Sequence, residues 1–234
     1  MNLHNVLKNT VNISLMAQLV TGLIDLYAMT FHYGGDKLLL KGLIGVEVFV
    51  QFIELIFYVW LAMSINTEPN ITPKRYYDWV VTTPSMLFIF IVYLEYLRNG
   101  NKVIKPDEET VNWTSLDYLW HSFDKHSDNL YFIMLLNLLM LLFGYLGEIK
   151  IMSKISSVIC GFIPFIIYFY FIYERYAKYS SRGIALFGIF AFLWSMYGVA
   201  ALLPYTLKNI GYNILDIFSK NFFGLFLVYI ALFE

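Results

Sequence analysis

The sequence predicts an all-α membrane protein that folds as a bundle of seven membrane-spanning helices. Apolar residues make up 59% of the 234 residues and charged residues only 14%, which is far from the average of a soluble domain. The apolar residues are grouped into seven segments, each long enough to cross a bilayer core of about 30 Å. Because only a helix satisfies every backbone group within one such segment, each segment is predicted to be helical.

The chain is predicted to form a single domain over residues 1–234. Gly147, Glu148 and Lys150 interrupt the longest apolar run and predict a tight turn between the fourth and fifth spans. A polar insertion of about residues 99–129 separates the third span from the fourth. The predicted spans are 11–33, 37–64, 74–97, 130–148, 151–177, 182–203 and 210–233.

Within the insertion, five apolar residues recur at helical spacing: Trp113, Leu116, Leu119, Trp120 and Phe123. This pattern predicts an extra amphipathic helix between spans three and four that lies on the inner membrane surface, with its tryptophans at the depth of the lipid headgroups. The alternative is a loop helix packed on the bundle. Either arrangement would serve anchoring or partner contact rather than chemistry.

Charge gives the orientation and excludes one class of partner. The net charge is −1, so a nucleic-acid partner has no electrostatic support. The Lys/Arg bias favours an N-terminus outside and a C-terminus in the cytoplasm. Inner positions would be Lys37, Lys41, Arg98, Lys102, Lys105, Lys125, Arg175, Lys178 and Arg182, against Lys8, Lys74, Arg75, Lys150, Lys154 and Lys208 outside.

Lys220 lies inside the seventh apolar segment, where a lone ammonium costs at least ~2.5 kcal/mol. Asp216 precedes it by one helical turn, so the two side chains share a face of the helix. Two interpretations are open. The pair is either a buried ion pair that fixes helix packing, or a lysine that carries a cofactor as a Schiff base with a carboxylate as its counter-ion.

The third span begins with a charged motif. Asp78 and Thr82 are four residues apart and therefore stack on one face, with Arg75 nearly one turn earlier on nearly the same face. Such a group can stabilise a buried cation across the bundle. A structural ion pair between Arg75 and Asp78 near the membrane surface is the alternative.

The first two spans carry polar stripes. Such stripes must face the bundle interior or water, because lipid would leave the polar groups unsatisfied. They predict either a path for cations or a structural hydrogen-bond network between helices. The residues are Ser14, Gln18 and Asp25 on span one, and Glu47, Gln51 and Glu54 on span two.

Three motifs together resemble the microbial rhodopsins. They are the run from Arg75 to Pro84 on span three, the run from Asp216 to Lys220 on span seven, and Trp194 with Tyr197 on span six. The resemblance covers nearly the whole chain from residue 43 onward. It implies the seven-helix rhodopsin fold, with retinal bound covalently to a lysine as its cofactor.

The resemblance also implies roles for individual residues. Lys220 would hold retinal as a protonated Schiff base, and Asp78 with Asp216 would form a double counter-ion that Arg75 balances. Asp78 would be the proton acceptor, with Thr82 beside it. The chromophore would be walled by Trp79, Thr83, Trp194 and Tyr197, and Met86 would tune its colour.

Two departures from the pattern of outward proton pumps bear on function. The inner half of span three usually holds a proton-donating carboxylate eleven residues after the counter-ion, and here that position is Ile89. Its absence predicts slow reprotonation. The proline that usually follows the tyrosine of span six is replaced by Gly198.

The polar stripes, together with the predicted inner surface helix after span three, resemble the pattern of rhodopsins encoded by giant viruses of algae, in the group of light-gated, calcium-permeable cation channels. That resemblance implies an ion path with Ser14, Gln18 and Glu54, joined by Asn213 and Asn221 on span seven. Partners would be the lipid bilayer, retinal and the transported cations or protons, and a homo-oligomer is compatible with this group. The alternatives are a slow outward proton pump and a photosensor. No motif of an enzyme or a metal site is present in the sequence.

Overall fold

The structure is a computed structural model that describes residues 2–103 and 113–234, and it confirms the seven-helix bundle. The described residues form seven helices that are long and apolar enough to cross a membrane, and they contain no strand. The helices are α1 Leu3–Met29, α2 Lys37–Ser64, α3 Thr72–Arg98, α4 Ser115–Glu148, α5 Lys154–Arg175, α6 Ser181–Ala201 and α7 Tyr205–Phe233.

Polar side chains fix where several helices begin. The Ser153 and Ser180 side chains accept hydrogen bonds from backbone N–H groups in the first turns of α5 and α6. Thr114 and Asp117 form a reciprocal capping box at the start of α4. Such caps satisfy backbone donors that a helix start leaves free.

The third helix forms the centre of the bundle. Of its most apolar stretch 67% is buried, against 17% for the corresponding stretch of α6. α6 therefore presents most of its surface outward, where lipid would cover it, while α3 contributes to the main core along its C-terminal half. A side chain on α3 is consequently well placed to reach groups on several neighbouring helices.

The insertion between spans three and four differs from the prediction. No separate helix lies on the membrane surface within the described residues, because the amphipathic segment forms the first turns of a single helix, α4, of 34 residues. At 1.5 Å per residue this helix is about 51 Å long and extends well beyond a bilayer core of about 30 Å. Leu119 packs against Gly42 of α2, which corresponds to the alternative of a helix packed on the bundle.

The buried face of that segment also differs from the predicted one. Tyr118 and Ser122 are buried, whereas Leu116 and Trp120 are 64% and 68% exposed. Phe123 contacts Phe88 of α3. Lys105, predicted to be an inner positive charge, lies outside the described residues.

The seventh helix changes its geometry in the middle. Residues Ile217–Asn221 form a π-helical turn between two α-helical halves, Tyr205–Asp216 and Phe222–Phe233. Turns of this kind occur frequently at functional sites. Lys220 lies within the wide turn, so the least regular backbone of α7 is found beside the residue that the sequence singles out.

Candidate functional site

Lys220 is buried at the centre of the bundle and faces three carboxylates. Its Nζ donates to Glu54 of α2, lies 3.3 Å from Asp78 Oδ2 of α3, and lies 3.7 Å from Asp216 Oδ1 of its own helix. Thr82 Oγ1 is 3.4 Å away. The structure therefore brings together Asp78, Asp216 and Thr82 as predicted, and it adds Glu54, which the sequence placed in an ion path.

Asp216 is held by hydrogen-bond donors from three helices. Tyr58 of α2 donates to Oδ2 at 2.6 Å, and Tyr197 of α6 donates to Oδ1 at 2.8 Å. Arg75 Nη1 lies 3.4 Å from Oδ2. These contacts fix the orientation of the Asp216 carboxylate between α2, α3 and α6.

Arg75 is fully buried and pairs with Asp216 rather than with Asp78. Its Nε donates to Asn209 Oδ1 at 3.0 Å, and its Nη2 donates to Asn213 Oδ1. Both asparagines belong to α7, so the guanidinium ties α3 to α7 on the Asp216 side of Lys220. This agrees with the predicted balancing role and argues against the simple Arg75 to Asp78 pair.

An apolar slot runs from Lys220 into the bundle. Trp79, Thr83, Trp194 and Tyr197, all predicted to wall a chromophore, line it together with Lys220. A second cavity shares the two tryptophans and Tyr197 and continues the slot toward α4, α5 and α6. A long apolar ligand attached to Lys220 fits such a slot, because the aromatic side chains offer flat apolar surface along its length.

Several slot residues were not predicted from the sequence. Met140, Leu141, Phe165 and Ser219 also line the slot, whereas Met86 is fully buried in the core but does not line either cavity. The role of Met86 in colour stays a prediction. The missed residues lie on predicted spans at positions outside any polar motif, so only the packing of the helices around α3 identifies them.

Gly198 replaces the expected proline for a steric reason that the structure shows. A Cβ built at Gly198 would overlap the ring of Phe162 on α5. Glycine allows α5 and α6 to approach this closely at the slot without displacing that ring. A larger residue would displace Phe162, which lines the slot.

The polar residues of the predicted ion path form one buried column between α1, α2 and α7. Ser14 donates to the Asn213 carbonyl oxygen at 2.9 Å. Asn221 Nδ2 donates to Gln18 Oε1 at 2.9 Å and to Gln51 Oε1 at 3.0 Å. Each of these residues is at most 2% exposed.

Beyond the amides the column continues to two further carboxylates. Gln51 Nε2 donates to Glu47 Oε1 at 3.3 Å, and Asp25 faces the same stretch of α7 as Glu47. The three helices therefore place buried polar groups along their shared interface on both sides of Lys220. Both the ion path and the structural network remain compatible with these contacts.

Two members of the lysine site were missed although a signal existed. Glu54 and Tyr58 continue the spacing of Glu47 and Gln51 along one face of α2. That spacing identified the face of α2 that points into the bundle, but not which of its residues lie at the level of Lys220 on α7. The contact of Glu54 with Lys220 and of Tyr58 with Asp216 depends on how far α2 is shifted along α7.

Comparison with known proteins places this geometry in one family. The sequence profile of bacteriorhodopsin-like proteins matches residues 9–233. No curated protein matches the chain by sequence. Among solved structures, the viral rhodopsin OLPVRII superposes with a TM-score of 0.80 at 22% identity, with 96% of each chain covered.

Two further solved structures share the fold. The blue light-absorbing proteorhodopsin from Med12 has a TM-score of 0.72 at 17% identity over 96% of each chain. Xanthorhodopsin, described as a light-driven ion pump with dual chromophore, has a TM-score of 0.71 at 17% identity over 98% of this chain and 93% of its own. The chain belongs to the bacteriorhodopsin-like family of microbial rhodopsins, whose members bind retinal through a Schiff base to a lysine.

Proposed function

We propose that the protein is a light-gated cation channel that carries retinal on Lys220 and conducts cations between α1, α2 and α7. The coarser function, a retinal-binding membrane photoreceptor or ion transporter, follows from the family. The lysine assignment is supported by position. Lys220 is a buried lysine at the end of the apolar slot, and the carboxylates of Glu54, Asp78 and Asp216 surround its amine.

The observation that carries the channel proposal is the buried polar column. Its side chains come from three helices and are at most 2% exposed, and one of them, Glu54, pairs with Lys220. Rows of carboxylates and amides replace the hydration shell of a cation and concentrate cations in a pore. In the resting arrangement the amides of Gln18, Gln51 and Asn221 hold one another by hydrogen bonds, so the column is closed at that level.

When bound, retinal supplies the light-driven isomerisation and a positively charged nitrogen at Lys220. The surrounding side chains of the protein transmit the change. Glu54 belongs both to the carboxylates around that nitrogen and to the column, so a rearrangement at Lys220 reaches α2 directly. Asn221 adjoins Lys220 in the sequence and holds Gln18 and Gln51. A shift of the wide turn of α7 would therefore release the closing amides.

We infer the orientation from charge. With the N-terminus outside, Lys37, Arg98 and Arg182 face the cytoplasm, as the bias of basic residues toward the inner side favours. Arg75 then lies on the outer side of Lys220, and Glu47 lies on its inner side. Accessibility labelling of a tag at each terminus of the expressed protein measures this directly, and a C-terminal tag labelled from outside would contradict it.

The test is voltage clamp of cells that express the protein, under illumination. A channel gives photocurrents that reverse sign with voltage and whose reversal potential follows the cation gradient. Outward current at every accessible voltage would refute the channel. Gln51→Leu should reduce the conductance because it removes amide groups from the column.

A neighbouring position provides the control for that variant. Phe52 is the next residue on α2 but is 58% exposed, whereas Gln51 is 2% exposed. Phe52→Leu changes the lipid-facing surface and leaves the column intact, so it should preserve the photocurrent. If both variants reduce the current equally at equal surface expression, the column does not conduct.

A slow outward proton pump is the second candidate, and one observation favours it. Asp78 approaches Lys220 through Oδ2, while its Oδ1 has no hydrogen-bond partner among the described residues. That oxygen is free to accept a proton. The same voltage clamp distinguishes the candidates, because only a pump drives outward current against the proton gradient.

A further inference from the structure

A cluster of polar side chains joins the predicted inner ends of α3, α4 and α5. Glu95 of α3 accepts a hydrogen bond from Lys125 Nζ at 2.6 Å through Oε1 and one from His126 Nε2 through Oε2. His126 Nδ1 lies 3.3 Å from the hydroxyl of Tyr176, which directly follows α5. Asn129 Nδ2 donates to the same hydroxyl at 2.9 Å. The side chains therefore form one chain of contacts across three helices.

The direction of each hydrogen bond follows from the groups that take part. An ionised Glu95 offers only acceptors, so Nε2 of His126 carries the hydrogen of their bond. In a neutral imidazole the other nitrogen, Nδ1, is then an acceptor, and Tyr176 donates its hydroxyl hydrogen to it. The Tyr176 oxygen in turn accepts from Asn129. With His126 neutral, each of these groups has a partner, and α4 is bonded both to α3 and to the end of α5.

A proton on His126 changes these bonds unequally. Both ring nitrogens are then donors, so the bond to Glu95 becomes a charge-assisted ion pair, which is stronger. Nδ1 no longer accepts the hydroxyl hydrogen of Tyr176, and Tyr176 is only 3% exposed, so water replaces that acceptor poorly. Protonation therefore strengthens the contact between α3 and α4 and weakens the contact between α4 and the end of α5.

The surroundings of His126 allow such a change of charge. Histidine is the side chain that ordinarily titrates between about pH 5 and 8. The side chains of His126 and Glu95 are 11% and 13% exposed, so protons from the inner solution can reach them. Among the neighbouring groups Glu95 supplies the negative charge. The other titratable or charged side chains around the cluster are Lys125 and His121 of α4, Arg98 of α3, Arg175 and Tyr176 at the end of α5, and Lys102, while α2 contributes Leu39.

Tyr176 lies at the corner that connects α5 to α6. A short 3-10 turn, Ala177–Tyr179, follows it, and α6 begins at Ser181. A Cβ built at Gly183 would lie 2.8 Å from the Ala177 carbonyl oxygen, so the start of α6 is packed tightly against this turn. A displacement of Tyr176 is therefore passed on to α6.

The position of α6 depends strongly on this corner. Only 17% of its most apolar stretch is buried, the smallest share among the seven spans, so few interior contacts hold it in place. Its inward side nevertheless carries Trp194 and Tyr197, which line the slot that ends at Lys220. A contact that fixes the corner thus also fixes two walls of the slot.

We propose that Glu95, His126 and Tyr176 form a pH-sensitive latch on the inner side of the protein. With His126 neutral, the latch holds the corner between α5 and α6 against α3 and α4. A proton taken from the inner solution forms an N–H bond at Nδ1 of His126 and releases Tyr176. The proposal rests on the proposed orientation and light-gated function. A released corner returns to its resting contacts more slowly, so the light-induced state should last longer at acidic inner pH.

The test is hydrogen exchange of the retinal-loaded protein in lipid nanodiscs, kept in the dark and followed by mass spectrometry. After correction for the pH dependence of intrinsic exchange, backbone amides of residues 172–180 should exchange about two- to tenfold faster at about pH 5 than at about pH 8, the factor that corresponds to one net hydrogen bond. His126→Gln should abolish this pH dependence, and Tyr176→Phe should exchange fast at both pH values.

His32 provides the matched control, because it is an exposed histidine on the same predicted inner side. His32→Gln should keep the pH dependence of the native protein. Equal corrected exchange of the native protein at both pH values would overturn the latch, as would a pH dependence that persists in His126→Gln. If Tyr176→Phe does not assemble, the native protein and the two histidine variants still decide the question.

A second measurement tests the assigned bonds directly. Nitrogen-15 NMR of histidine-labelled protein, with the His126 signal identified by its loss in His126→Gln, should show the hydrogen on Nε2 at about pH 8 and on both nitrogens at about pH 5. A neutral ring with its hydrogen on Nδ1, or a ring whose charge does not change over this range, would contradict the latch.

The photocurrent separates the latch from the channel. In cells clamped with inner solutions of about pH 6 and 8, the current should close about two- to tenfold more slowly after light at the lower pH. Reversing currents that close at the same rate at both values would overturn the latch and leave the channel in place. A pH-dependent corner in a protein without reversing photocurrent retains the latch and loses the channel, and the return of absorption after a flash then measures the lifetime of the light-induced state.

Discussion

Replacing Glu54 with glutamine tests whether this residue is a counter-ion of Lys220. The amine contacts Glu54 more closely than it contacts Asp78 or Asp216. Light moves positive charge away from the nitrogen, so a carboxylate beside it stabilises the ground state more than the excited state. Removing that carboxylate lowers the excitation energy, and Glu54→Gln should shift the absorption to the red.

The size of the shift is set by the distances. For Asp78 at 3.3 Å and Asp216 at 3.7 Å from Nζ, the Coulomb energy at an effective dielectric constant of about 20 is ~5 and ~4.5 kcal/mol. If roughly half of such an interaction is lost on excitation, one carboxylate changes the excitation energy by about 2 kcal/mol. Because Glu54 is closer, its removal should shift the absorption at least as far as Asp78→Asn.

The assay is the absorption spectrum of purified pigments at one pH. Glu47→Gln, on the same helix but outside contact distance of Lys220, is the matched control and should shift the maximum much less. An unshifted Glu54→Gln spectrum beside a clearly shifted Asp78→Asn spectrum would show that Glu54 carries no charge next to the nitrogen. The contact would then be structural.

Two further predictions concern stability. Gly224→Ala places a Cβ 3.0 Å from Asp25 Oδ2 and from Glu47 Cγ, so it should lower the free energy of unfolding by about 1–3 kcal/mol. Gly188→Ala is the control, because the space around its new methyl group is open, and it should be neutral or stabilising. Equal melting temperatures for the two variants would contradict the close packing at Gly224. Lys208→Met leaves the half-buried Glu148 carboxylate without its partner, whose Nζ is 2.6 Å away, and should cost about 1–3 kcal/mol. The double variant with Glu148→Gln should partly recover that loss in thermal melts, and equal melting of the single and double variants would mean that the pair is not coupled.

The seven spans were predictable because hydropathy is a local signal, whereas the retinal site at Lys220 and its aromatic walls came from the resemblance to microbial rhodopsins, and the residue roles stay predictions. Asp216 and Lys220 lie one turn apart on one helix, and Trp79 and Thr83 follow Asp78 within the same motif. Spacing along one helix fixes which residues share a face. It needs no knowledge of the neighbouring helices.

The place of Glu54 could not be predicted from the same spacing. The stripe on α2 identified an inward face, but the depth at which Glu54 meets Lys220 depends on the tertiary shift between α2 and α7. The continuity of α4 was also beyond the hydropathy pattern. Asp124 and Lys125 lie before the apolar span, yet they belong to the same helix, α4. Charged residues are compatible with helical backbone outside the bilayer core.

The π-helical turn at Ile217–Asn221 changes the direction in which side chains after it point, relative to those before it on α7. Each residue advances an α-helix by about 100°, so one residue accommodated in a wide turn changes the direction of everything after it by about that angle. Deleting a single residue from the turn would direct Gly224 away from Asp25 and Glu47 while Asn213 kept its place beside Arg75. The number of residues in this turn therefore determines which residues before and after Lys220 face the same column.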